Sequence, residues 1–180
     1  GVQTCALPIC IIIDGKIYGG FNFAGAELGH TVIVVDGEPC TCGRYGCWES
    51  YASASALIRQ TRRAMEQDPE SEMWKIAGSL DGVDGRTSFD AMRAGDKSGK
   101  QVVDRYIRYI ASGLINVINI FQPEILCIGG GICKEGDILL KPLEEQIKKE
   151  RYSKFSSHQT RLTVAQLGND AGIIGAACIG

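Results

Sequence analysis

The sequence predicts an α/β protein. Three observations carry that reading: a long helical repeat of apolar residues past the middle of the chain, an apolar strand running into three glycines directly after it, and a further helix and strand in the same order beyond. Helix, strand, helix, strand, helix is the order in which crossover connections set strands parallel.

Taken in order, residues 10–13 and 16–18 flank Asp14-Gly15, a two-residue hairpin signal. After a loop of small residues, residues 31–35 read as a short β-branched strand, and Asp36-Gly37 turns the chain into a cysteine-rich loop. Ser50 is the expected N-cap of a helix over residues 51–67, stopped by Asp68-Pro69. Residues 69–85 are polar, contain two Asp/Gly turns and read as a surface excursion; Thr87 then caps a short helix ending near Gly95. The longest helix is expected over residues 99–121, because Val103, Ile107, Ile110, Leu114, Ile118 and Phe121 recur every three or four positions. Gln122-Pro123 ends it. Residues 124–128 follow as a buried strand with Cys127 in the core, then Gly129, Gly130 and Gly131, and a helix over residues 137–152. A strand over residues 162–167 leads into a Gly/Ala-rich helix starting near Asp170, where Gly172 and Gly175 allow close packing.

Composition narrows the function. The 180 residues suit one domain or one domain with a small attachment, and 44% hydrophobic with 22% charged residues is ordinary globular composition. A net charge of −2 argues against a nucleic-acid partner. No apolar run approaches the about 20 residues that cross a bilayer, and there is no secretory pattern, so a membrane partner is not expected. A reducing cytoplasm is the expected compartment.

The chemistry concentrates in CTCGRYGCWE, residues 40–49. Cys40, Cys42 and Cys47 are too crowded for ordinary core residues, and His30 lies only ten positions upstream. Zinc takes thiolate and imidazole ligands in a tetrahedron, so this Cys3His set reads as a zinc site. Gly43 and Gly46 allow the loop to fold back on itself. Four protein ligands leave no position for a metal-bound water, which makes the metal structural. Histidine in place of one cysteine disfavours an iron–sulfur cluster. Cys127, Cys133 and Cys178 have no metal spacing, and His158, in SSHQT, reads as a solvated loop residue.

ELGH (residues 27–30) followed by CTCGRYGCWE, then FQPEILCIGGGI and the closing LGNDAGIIGAA, resembles the ROK family of sugar kinases, repressors and open reading frames, from Ile11 onward. The resemblance is closest to the glucokinases of Gram-positive bacteria within it. It implies the C-terminal domain of an actin-like, hexokinase-type ATPase fold with a zinc-bound loop, spanning residues 10–180. It also implies that Glu27, His30 and Glu49 bind a hexose, His30 using one ring nitrogen for zinc and the other for a sugar hydroxyl. A carboxylate suits such a role because it can accept hydrogen bonds from two neighbouring hydroxyls. Gly129, Gly130 and Gly131 are implied to contact the adenosine of ATP. Backbone without β-carbons, at the carboxyl end of a strand, lets a nucleotide approach closely.

The implied activity is ATP-dependent phosphorylation of a hexose, glucose foremost, with Mg2+ accompanying ATP and a homodimer as the usual assembly. An N-acetylhexosamine kinase and a sugar-responsive repressor with a helix-turn-helix are the alternatives. The family's catalytic aspartate and its glycine-rich phosphate loop lie upstream of the hairpin, and this sequence contains neither motif, so no catalytic residue is nominated. The chain is expected to be the C-terminal portion of a longer protein, inactive alone. GVQTCALPI, residues 1–9, matches nothing in the family and reads as non-native sequence, leaving Cys5 and Cys10 without a role.

Overall fold

A computed structural model describes residues 10–166. The expected non-native segment 1–9, the closing motif from Leu167 and the last helix with Gly172, Gly175 and Cys178 lie outside the described residues. The chain divides into two units, Gly1–Gly113 and Leu114–Gly180.

The first unit opens with the expected hairpin. Strands β1 (Ile12–Ile13) and β2 (Lys16–Ile17) pair antiparallel, Ile12 opposite Ile17. Asp14 and Gly15 both take positive φ, 51° and 74°, which a two-residue turn of this hand requires. A short 3-10 turn, Leu28–His30, follows. Residues 31–35 do not form the expected strand. Their backbone meets the cysteine loop at a single antiparallel bridge, Val32 with Cys47, while Ile33 and Val34 both donate to the Gly46 carbonyl. Two donors converging on one carbonyl bend the chain, so no regular ladder can extend.

The helix expected from a Ser50 cap is two pieces, α1 (Glu49–Ala52) and α2 (Ala54–Gln67). Ser53 breaks them. Its backbone is extended, and its hydroxyl accepts from the Ala56 N–H at 3.2 Å, making Ser53 the true N-cap. Ser50 instead donates its hydroxyl to the Pro39 carbonyl at 3.1 Å.

Residues 69–85 are not a surface excursion. They contain α3 (Met73–Ala77), and Met73 and Val83 join Met65 and Ala91 in a buried cluster flanked by Trp74 and Leu80. Trp74 Nε1 also donates to the Met65 carbonyl at 2.9 Å, tying the segment to α2. In α4 (Thr87–Arg93), Thr87 is the first helical residue rather than the cap. The capping acceptor is Asp84, whose carboxylate receives the Arg86 and Thr87 N–H groups and the Thr87 hydroxyl, at 2.9 to 3.0 Å.

The long helix α5 runs Lys97–Phe121, close to expectation. Val103, Ile107, Ile110, Leu114 and Ile118 are buried, but so are Val102, Tyr106, Ala111 and Ile115, which makes the apolar stripe wide. Phe121, expected on that stripe, is exposed.

The second unit is a parallel strand–helix–strand. β3 (Ile125–Ile128) pairs with β4 (Arg161–Val164), Leu126 opposite Leu162, across α6 (Asp137–Glu150), which buries Leu139, Leu143 and Ile147. Strand β3 buries Leu126 and Ile128 on one face and exposes Ile125 and Cys127 on the other. The period of two therefore takes Cys127 out of the core where it was expected. His158 is exposed, as expected of its polar surroundings.

Candidate functional site

The cysteine loop is shaped by its own backbone before any side chain acts. Cys40 and Arg44 close it, the Cys40 N–H donating to the Arg44 carbonyl at 2.9 Å, and Gly46 donates to the Glu38 carbonyl at 2.8 Å. Gly43 and Gly46 take φ of 89° and 77°. A β-carbon at Gly46 would stand 1.6 Å from the Val34 carbonyl oxygen, so only glycine allows the loop to press against residues 31–35.

This fold-back brings His30, Cys40, Cys42 and Cys47 together, with one ligand atom from each within 4.8 Å of all the others. Cys42 Sγ lies 3.6 Å from Cys47 Sγ, and Cys40 Sγ lies 3.5 Å from His30 Nδ1. A tetrahedral zinc with sulfur at about 2.3 Å and nitrogen at about 2.0 Å sets its ligands roughly 3.5–3.8 Å apart. Donor type and spacing both fit. Burial, reinforced by the neighbouring Cys42 and Cys40, pushes the Cys47 thiol up to about 12. Burial opposes ionisation of Cys40 too, but the Cys42 N–H and thiol, the Ser50 hydroxyl and His30 outweigh it and bring Cys40 down to about 6. A cation bound among the sulfurs would favour their thiolate forms, which would otherwise repel one another.

Two of the three expected sugar residues meet beside this cluster. Glu49, the first residue of α1, places Oε2 3.7 Å from His30 Nδ1. Glu27 caps the 3-10 turn, its carbonyl accepting the His30 N–H at 3.1 Å, and its side chain is exposed. Gly29, between Glu27 and His30, faces Glu49: a β-carbon there would lie 3.6 Å from Glu49 Cβ, an ordinary contact. Gly29 and His30, about twenty residues ahead of Glu49 in sequence, therefore adjoin it.

The sequence reading missed three supports. Arg44 Nη1 donates to the His30 carbonyl at 3.2 Å, and the Cys47 thiol donates to the same oxygen at 3.5 Å. Trp48 is buried, with its Nε1 donating to the Tyr109 carbonyl at 2.8 Å and its ring lying over Gly113 of α5. Trp48 thereby anchors the residue next to Glu49. Glu38, ahead of Cys40, is gripped by arginines of α2. A glutamate and two arginines four apart on one helix were visible in the sequence, but nothing there paired them.

In the second unit, Gly129 follows β3, Gly130 has φ of 97°, and Gly131 opens a 3-10 turn, Gly131–Glu135. Among the described residues, a β-carbon at Gly130 or Gly131 would meet nothing within 4 Å, so they leave the backbone open on that side.

With fold and site in view, the chain can be placed. The ROK family profile matches residues 7–180, and the chain belongs to that family. Among its relatives, the glucokinase of Thermotoga maritima is 38% identical over 169 residues, covering 94% of this chain and 53% of that protein. A ROK family glucokinase from Streptomyces griseus, solved with glucose and AMPPNP, superposes with a TM-score of 0.84 at 33% identity, covering 95% of this chain and 56% of that one. The xylose repressor of Caldicellulosiruptor bescii is 29% identical over 92% of this chain and 41% of its own length. The mixed α/β fold is that of ROK sugar kinases, and the chain spans about half the length of the glucokinases it matches. No helix among the described residues is long and apolar enough to cross a membrane.

Proposed function

We propose that residues 10–180 are the C-terminal domain of an ATP-dependent hexose kinase whose sugar is glucose, and that the loop from Glu27 to Glu49 is its sugar-holding face. The adjacency of His30 and Glu49 at the edge of the Cys3His cluster carries this reading. Zinc on His30, Cys40, Cys42 and Cys47 would supply positive charge and cross-link the loop, with no open position for chemistry. His30 Nδ1, beside Cys40, is the nitrogen turned to the cluster, leaving Nε2 for a sugar hydroxyl. Glu49 and Glu27 accept hydrogen bonds from neighbouring hydroxyls, which fixes the ring and orients the hydroxyl that will attack.

The open backbone at Gly130 and Gly131 supports contact with the adenosine of ATP, with Mg2+ held by the phosphates. The base that takes the hydroxyl proton and the loop that holds the γ-phosphate belong, in this reading, to the part of the relatives' length that this chain does not span. We infer a homodimeric cytoplasmic enzyme for the whole protein. A substrate panel on that protein, followed by ADP release, tests the assignment: glucose is expected to be preferred, and a preference for an N-acetyl sugar would move it to the N-acetylhexosamine kinases.

A repressor is the second reading, because the Caldicellulosiruptor xylose repressor matches 92% of the chain. A helix-turn-helix encoded upstream would favour it, and a phosphate loop there would favour the kinase.

A further inference from the structure

We propose that Glu38, with Arg63 and Arg59, is a positioning brace that sets the metal- and sugar-holding loop on helix α2; this rests on the role proposed above for that loop. Glu38 stands at the loop's entrance, two residues before Cys40, and Ser50 stands at its exit, directly after Glu49. Helix α2 holds both. Arg63 grips the Glu38 carboxylate with two nitrogens, Nη1 on Oε1 and Nη2 on Oε2, the latter at 3.1 Å. Arg59 stands 3.6 Å from the same carboxylate through Nε, and its Nη2 donates to the Ser50 carbonyl. One arginine thus spans entrance and exit.

The backbone of Glu38 is held as tightly as its side chain. Its N–H donates to the Tyr51 hydroxyl at 2.6 Å, and its carbonyl receives the Gly46 N–H at 2.8 Å. Gln60, between the two arginines, donates to the Tyr51 carbonyl at 2.9 Å. Every one of these bonds ties residues 38–51 either to α2 or across the loop. A forked guanidinium–carboxylate pair fixes direction as well as distance, which a lone lysine would not. The Glu38 side chain is only a quarter exposed, so the pair is less screened than one in open solvent. Partners bonded directly to metal ligands typically change metal affinity about 10- to 100-fold when removed, and a brace one step further out is expected at the lower end of that range.

The test is a double-mutant cycle in the 180-residue chain, comparing Glu38→Gln, Arg63→Met and the pair, with Arg63→Lys as the conservative variant and Lys75→Met as control. Lys75 forms a surface pair with Glu72 and has no bond to the loop. Two readouts are taken on variants whose circular dichroism matches wild type: zinc release to a chromophoric chelator, and hydrogen exchange at the amides of Cys40, Gly46 and Trp48. The brace predicts release about tenfold faster or more in each single variant, no further acceleration in the double, partial recovery with Arg63→Lys, and no change in the control. Loop amides should exchange faster while those of α3 and α4 do not. Should Arg63→Met fail to fold, the near-isosteric Glu38→Gln decides alone. Release and exchange within twofold of wild type would overturn the brace. If wild type carried no zinc but loop exchange still rose in the variants, the brace would stand and the metal reading would fall.

Discussion

Glu49 Oε2 lies 3.7 Å from His30 Nδ1, and that nitrogen also lies 3.5 Å from Cys40 Sγ. One imidazole therefore joins the cysteine cluster to the carboxylate nearest it. Whatever fixes the cluster also fixes the distance between the two side chains proposed to meet the sugar, and the consequences can be measured.

Removing one ligand should undo the loop. Cys42 is exposed, so Cys42→Ser leaves no buried hydroxyl behind, and its effect reports the lost metal bond rather than a packing fault. We expect wild type to carry one zinc per chain and the variant to carry little, with a loss of several kcal/mol because metal binding is coupled to folding of the site. Elemental analysis and thermal melts with and without chelator check both. A chelator that leaves the wild-type midpoint unchanged would count against the metal.

Gly113→Ala should be among the more damaging changes in α5. A β-carbon there would stand 1.9 Å from Trp48 Cε2, and the ring is held by its bond to the Tyr109 carbonyl. Overpacking of this kind costs about 1–3 kcal/mol or more. It also displaces the neighbour of Glu49. Urea unfolding of the variant should show a lowered midpoint with an unchanged slope.

Acid should weaken the helical part of the first unit. Burial opposes ionisation of Asp84 and Asp96, but donated backbone N–H groups outweigh it. For Asp96 these come from Gly99 and Glu72, and for Asp84 from Arg86 and Thr87 together with the Thr87 hydroxyl, so both carboxyls sit below the usual 3.8. A folded-state value below the unfolded one means the stabilisation is complete well above 3.8 and is lost as the pH falls through the folded values. Melts in chelator should therefore be flat from about pH 7 to 5 and fall steeply below 4, and Asp96→Asn should lower the plateau while flattening the fall.

The chain alone should transfer no phosphate. Loss of a positioned base removes roughly 10²–10⁴-fold in rate. A coupled ADP-release assay on the purified chain with glucose and ATP is expected to read background. Turnover at an ordinary kinase rate would place a base within these residues.

Much of this was legible in the sequence, where local signals were enough. Asp14-Gly15 marked the hairpin, the apolar spacing from Val103 to Ile118 marked α5, and the spacing of His30, Cys40, Cys42 and Cys47 marked the cluster. What escaped depends on partners distant in the chain. Ser50 reads as a cap until the Pro39 carbonyl claims its hydroxyl, and Ser53 then takes the role. Met73 and Val83 read as surface because the turns Asp81-Gly82 and Asp84-Gly85 dominate their segment, yet both are buried with Met65 and Ala91. Cys127 sits in an apolar run whose period of two turns it outward. Within the site, the gathering of His30 with the three cysteines was readable from their spacing, whereas Arg59, Arg63 and Trp48 act through contacts that no spacing announces.

The central claim is that a metal-fixed loop presents Glu27, His30 and Glu49 to a hexose. Its most direct measurement is a glucose titration of the isotope-labelled, zinc-loaded chain followed by NMR, repeated after the metal is removed. Weak but saturable shifts centred on residues 27–30 and 47–50, lost with the metal and absent in Glu49→Gln, are the predicted result. Shifts elsewhere in the chain, or the same shifts without the metal, would contradict it.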